Sequence, residues 1–163
     1  MRKLLFTALV CWASGSLLAQ DYSNAAEQAN RLNALVKAYP QTASLKSLAK
    51  TNGGKDIWLL TIGTGKTENK PAIAVIGGVE GNHLLGTELA IGFAEQLLKA
   101  SGTDSIKNLL SRTTYYVFPN MSPDAMEQYF SKIRNGRNGN ATATDDDRDG
   151  KTDEDGWDDL DGD

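Results

Sequence analysis

Pro71-Ala72-Ile73-Ala74-Val75-Ile76-Gly77-Gly78-Val79 is an almost uninterrupted apolar run, and it constrains the fold more than any other stretch of the chain. A strand with one wet face alternates polar and apolar residues, whereas a run without alternation fits a strand covered on both faces. The reading is therefore a central strand over 71–79. Its glycines lead through Glu80-Gly81-Asn82-His83 into a helical pattern from residue 86 or 87 to 99. That pattern places Leu89, Ala90, Phe93, Ala94, Leu97 and Leu98 on one side, with Gly102 just past the end. Strands alternating with helices argue for a layered α/β fold rather than a bundle or a sandwich.

The surrounding sequence supplies the other layers. Asn24 and Glu27 have the spacing of a capping pair, and Ala25, Ala26, Ala29, Leu32, Leu35 and Val36 recur at helical spacing as far as Ala38. Segments 44–51 and 57–64 are strand-like and are joined by the turn Asn52-Gly53-Gly54-Lys55, which predicts a hairpin. A further buried strand is expected over 114–118, stopped by Pro119. Ser122-Pro123-Asp124 then opens a short helix, with serine as the cap and proline at its first position. Tyr115, Tyr116, Phe118 and Phe130 are expected in the core. No internal repeat is present in the folded part.

Charge excludes one class of partner. The net charge of -4 is uneven, because about half of the acidic residues fall between Asp145 and Asp163, opposed there only by Arg148 and Lys151. No basic stripe exists that could follow a phosphate backbone, so nucleic acid is not an expected partner. Residues 1–20 read as a secretory signal peptide, with Arg2 and Lys3 ahead of an apolar run and small residues before Ala19 and Gln20. The expected location is secreted or periplasmic, with no integral membrane segment after cleavage. Cys11 is the only cysteine and lies inside that leader, so no disulfide is expected in the mature chain. Lipid attachment at Cys11 is disfavoured by the bulk of Val10.

Chemistry gathers behind the apolar run. Glu80 and His83, the chain's only histidine, stand three residues apart where the strand gives way to the helix. Ligands in α/β folds collect at such strand ends. Carboxylate oxygen and imidazole nitrogen suit Zn²⁺, which takes such donors at roughly 2.0–2.2 Å and keeps a position for water in hydrolytic sites. The plainer alternative is a hydrogen-bonded structural histidine, with Glu80 merely favouring the positive end of the following helix. Glu88 reads as an exposed residue in the first helical turn.

The segment Gly77-Gly78-Val79-Glu80-Gly81-Asn82-His83 resembles the zinc carboxypeptidase family, whose members carry a His-x-x-Glu pair in a context like Gly-Gly-x-His-Gly-Asn-Glu. Aligning the glycines puts Glu80 at the family's histidine and His83 at its glutamate, so the two ligand types are exchanged. Phe118-Pro119-Asn120-Met121-Ser122-Pro123-Asp124-Ala125 is similar to the family segment in which a strand leads into Asn-Pro-Asp-Gly, with Ser122 and Ala125 in place of Asn and Gly. The family's carbonyl-polarising arginine then falls on Arg137, with Arg134 one turn earlier as a second candidate. The resemblance covers about residues 35–140 and implies the amino-terminal part of a mixed β-sheet with flanking helices. It also implies a zinc cofactor, a peptide or protein substrate, and water attack on a carboxy-terminal peptide bond. A second zinc histidine, an arginine for the terminal carboxylate and a general-base glutamate have no counterpart here, from which we expect an incomplete and inactive fragment.

The acidic tail has its own spacing. Asp145, Asp147, Asp149 and Asp153 occupy positions one, three, five and nine of a calcium loop, with Gly150 at six. Position twelve is Gly156 rather than glutamate, with Asp155 or Asp158 as substitutes, and Asp159 begins the same spacing again. The expected organisation is a leader (1–20), a partial carboxypeptidase-like domain (21–143) and a truncated Asp-rich calcium-loop-like segment (144–163). Two other functions remain open at this stage: a zinc deacylase of the aspartoacylase type, and a non-catalytic calcium-dependent binding module.

Overall fold

A computed structural model describes residues 22–131, 139–145 and 147–152. Helix α1 (Ala25–Ala38) begins at the cap read from sequence: Asn24 Oδ1 accepts from the amides of Ala26 and Glu27, and Glu27 Oε2 accepts from the Asn24 amide at 2.8 Å. Strands β1 (Ala43–Lys50) and β2 (Asp56–Ile62) form the expected antiparallel hairpin, in register from Ala43↔Ile62 to Lys50↔Asp56 with an irregularity between Ser47 and Ala49. There follow β3 (Ala72–Ile76), α2 (Leu84–Lys99), α3 (Asp104–Arg112), β4 (Thr114–Phe118) and α4 (Pro123–Phe130).

These strands form one four-stranded sheet in the order β1-β2-β4-β3. β4 runs antiparallel to β2 and parallel to β3, pairing Ala72↔Thr114 through Ile76↔Phe118. One parity of strand positions builds the core: Ala43, Leu60, Ile62, Tyr115 and Val117 are buried, joined by Leu32 of α1, by Ala90, Ile91, Ala94, Leu97 and Leu98 of α2, and by Leu110 of α3. Each Leu or Ile enclosed this way stabilises the fold by about 1.5–3 kcal/mol. α3 has no counterpart in the sequence reading, although Ile106, Leu109 and Leu110 carry helical spacing and all meet the core.

Three expectations are corrected here. Among the described residues β3 lies at the edge of the sheet rather than at its centre, because β4 is its only neighbour there and the buried middle belongs to β2 and β4. It is also, among the described residues, covered on one face only. Ile76 is 58% exposed on the side away from the core, and Ile73, though on the core side, is 47% exposed at the open edge. The apolar pattern therefore fixes, among the described residues, neither how β3 is shielded nor its place in the strand order. Phe130, expected inside, is likewise exposed, while Tyr115 is buried and Tyr116 and Phe118 are half-buried.

Candidate metal-binding turn

The chain leaves β3 through a turn pressed against two other elements. The Gly77 amide donates to Phe118 O at 2.8 Å, prolonging the β3–β4 ladder by one residue. The next residue, Gly78, has φ +55°, and a Cβ there would stand 2.4 Å from Thr87 Oγ1 and 2.7 Å from Asn120 Oδ1. Glycine is the residue that adopts this left-handed conformation without strain and without filling that space. Helix α2 starts at Leu84, earlier than the sequence spacing predicts, with His83 at its N-cap position.

This geometry brings Glu80 and His83 together. His83 Nδ1 lies 2.7 Å from Glu80 Oε2, and their side chains are 73% and 62% exposed respectively. The His83 amide also donates to Glu80 O at 3.0 Å, closing the turn that sets both side chains on one side. An oxygen and a nitrogen donor, adjacent and open to solvent, are chemically suited to Zn²⁺ and supply two of the three protein donors usual in a hydrolytic site. Among the described residues no third His, Cys, Asp or Glu group joins them at metal-binding spacing.

The segment after β4 holds the turn in place. Met121 N donates to Gly77 O and Gly78 O, both at 3.2 Å, and Ser122 N donates to Gly78 O at 2.9 Å. Ser122 sits at the N-cap of α4 as expected, but its hydroxyl makes no cap hydrogen bond. It donates instead to Val79 O at 2.5 Å. Asn120 beside it is buried: its Nδ2 donates to Met126 Sδ at 3.0 Å and its Oδ1 accepts from the Ser122 amide at 3.0 Å.

Asp124 is a residue whose role the sequence reading did not recognise. Only 5% exposed, it accepts from Thr51 Oγ1 at 2.5 Å, Gly53 N at 3.1 Å and Ala141 N at 3.2 Å. It thereby ties the hairpin turn and the approach to the acidic segment onto α4. Burial pushes its carboxyl pKa up, but the hydrogen bonds from Thr51, Gly53 and Ala141, with the nearby Lys55 charge, outweigh that and leave it below the usual value. Glu88 also departs from expectation. It is 16% exposed and sits beyond the first turn of α2, paired with Arg31 at 2.6 Å and accepting from Ser23 N at 2.8 Å. Its carboxyl too is lowered, since the Arg31 and Ser23 hydrogen bonds exceed the opposing effect of burial.

In the acidic segment, Asp145, Asp147 and Asp149 each offer an oxygen within 4.8 Å of the others. Gly150 has φ +94°, the turn conformation its spacing predicts, and its amide donates to Asp145 Oδ2 at 3.1 Å. Arg134, Arg137 and Asp153 lie outside the described residues, as does the leader. No helix among the described residues is long and apolar enough to cross a membrane.

A mixed sheet flanked by helices, with an acid–imidazole turn where a parallel strand passes into a helix, defines a layered α/β protein whose chemistry-bearing residues gather at a strand end. A zinc carboxypeptidase family profile matches residues 29–160, and the chain belongs to that family. Carboxypeptidase E of Caenorhabditis elegans is 28% identical over 130 residues, covering 74% of this chain and 28% of that protein. A metallo-carboxypeptidase from Burkholderia cenocepacia superposes with a TM-score of 0.55 at 27% identity, over 62% of this chain and 27% of that one. The fold is also that of bovine thrombin-activatable fibrinolysis inhibitor, solved with a tick carboxypeptidase inhibitor (TM-score 0.59, 17% identity, 70% of this chain and 36% of that one). The chain thus spans about a third or less of the length of these relatives.

Proposed function

We propose that this chain contributes the amino-terminal half of a zinc site in an exported metallocarboxypeptidase, with Glu80 and His83 as two of the metal's donors. The observation that carries this reading is the 2.7 Å approach of two solvent-open donors on the turn that the family resemblance assigns to zinc. The bound ion would polarise a water and the scissile carbonyl. Glu80 and His83 would fix its position, and Arg137 would draw charge from the carbonyl oxygen of a peptide substrate. The exchange of acid and imidazole relative to the family keeps one oxygen and one nitrogen donor, so the donor chemistry is conserved while the reach of each side chain changes.

For the acidic segment the proposed ion is Ca²⁺. Hard oxygens converge there, and Asp145 Oδ1 is shielded from solvent with no hydrogen-bond partner among the described residues, a state that a cation would relieve.

Zinc binding is the test. Equilibrium dialysis of the chain against Zn²⁺ should show one site that weakens by well over tenfold in both Glu80→Ala and His83→Ala, since even residues that only support a ligand cost about 10–100-fold when lost. Equal zinc retention in the parent and both variants would remove these residues from the metal site.

A further inference from the structure

We infer that Ser122 is a positioning residue for the Glu80–His83 turn, acting through the peptide that precedes Glu80; the metal-binding part of this inference rests on the zinc reading above. A serine at a helix N-cap ordinarily turns its hydroxyl toward the amides of the first helical turn. In α4 that bond is not made. The hydroxyl reaches across to Val79 O at 2.5 Å, the carbonyl of the peptide bond that enters Glu80. The carbonyls of Gly77 and Gly78 are held by the backbone amides of Met121 and Ser122, which any residue at those positions would supply. Val79 O depends on a side chain.

The consequence is mechanical. Val79 is 65% exposed, so the orientation of its peptide is not fixed by burial. Rotation of that peptide swings the Cα–Cβ bond of Glu80 relative to His83, whose amide is tied back to Glu80 O at 3.0 Å. Because Ser122 belongs to the segment clamped on the far side by Asn120 and Asp124, it transmits the rigidity of α4 to a turn that otherwise lies open to solvent. The side-chain cap bond of α4 to the amides of Asp124 or Ala125 is given up in the process.

Two readouts on the parent chain, Ser122→Ala and Ser122→Thr separate this role from a merely structural one. Amide hydrogen exchange of the metal-free proteins should be faster in Ser122→Ala at Glu80 to His83, above all at the His83 amide, with α4 little changed, and should return toward the parent rate in Ser122→Thr. Zinc affinity should fall by about tenfold in Ser122→Ala, the lower end of the range for residues that orient a ligand, and recover in Ser122→Thr. Exchange unchanged in the turn, or raised chiefly along α4, would overturn the inference. Faster turn exchange with unaltered zinc affinity would also overturn it, as the hydroxyl would then hold the backbone without positioning a ligand. Absence of zinc binding by the parent chain itself would instead count against the metal reading, and the exchange comparison would still decide whether Ser122 fixes the turn.

Discussion

Gly77→Ala is expected to destabilise the chain by about 3 kcal/mol or more, the upper range for a group forced into a filled space. A Cβ at Gly77 would lie 2.5 Å from Gly86 O and 2.6 Å from Pro119 O, with Ala90 Cβ at 2.9 Å. The two nearest atoms are backbone oxygens on separate elements, so no side chain can rotate away. Relief requires that β3 leave β4 or that α2 leave the sheet, and either movement opens the core around Ala90 and Val117. Gly92→Ala is the matched control, because nothing lies within 4 Å of its Cβ position and it sits inside helix α2. There the substitution should stabilise by about 0.5–1 kcal/mol through helix propensity. Urea unfolding of the two variants should therefore move in opposite directions from the parent midpoint. Comparable behaviour would mean that the β3–α2 junction is looser than described.

Asp124 is expected to govern the second large effect. Its removal leaves the Thr51 hydroxyl and the amides of Gly53 and Ala141 without their acceptor, and hydrogen bonds to a charged group contribute about 1.5–3 kcal/mol in total effect when broken singly. Asp124→Ala should cost about 3 kcal/mol at pH 7. The effect has a pH signature. A carboxyl held below its usual value in the fold binds fewer protons there than in the unfolded chain, so stability rises with pH across the window between the two values. The contribution is complete above the unfolded carboxyl value of about 4, and it disappears as pH falls through the lowered folded value. Glu88 is lowered too, so the parent should lose stability in acid from both groups. Asp124→Asn should lose stability less steeply over that same acidic range. Parallel acid profiles for the parent and Asp124→Asn would show that the three hydrogen bonds do not hold the carboxylate charged.

What could be read from the residues follows from how local each signal is. The α1 cap needs only Asn24 and Glu27 at the right spacing, and the hairpin needs only the Gly53-Gly54 turn between two strand-like runs; both stand as read. β4 was legible because Pro119 stops it. The place of β3 was not, because its apolar character is fixed by residues 71–79 while its neighbours are chosen by the crossover through α2 and α3. A further helix, α3, carries a short apolar spacing around Leu110 that the reading passed over. Glu88 looked solvent-exposed because its partner, Arg31, is distant in sequence and meets it only when α1 lies beside α2. The candidate site was legible in part: the glycines and the Glu80–His83 spacing marked the turn, and the close approach of the pair accompanies its closure. The diversion of the Ser122 hydroxyl was hidden, since sequence shows an N-cap serine and says nothing of a carbonyl that competes for it.

His83 is the only histidine of the chain, so its imidazole nitrogens give unique signals in a ¹⁵N NMR spectrum. Zinc titration of the labelled chain should move those signals to a metal-bound position at stoichiometric Zn²⁺, and Glu80→Ala should require far more metal for the same change. Imidazole signals that stay in place while zinc saturates the chain elsewhere would contradict the claim that Glu80 and His83 grip one ion.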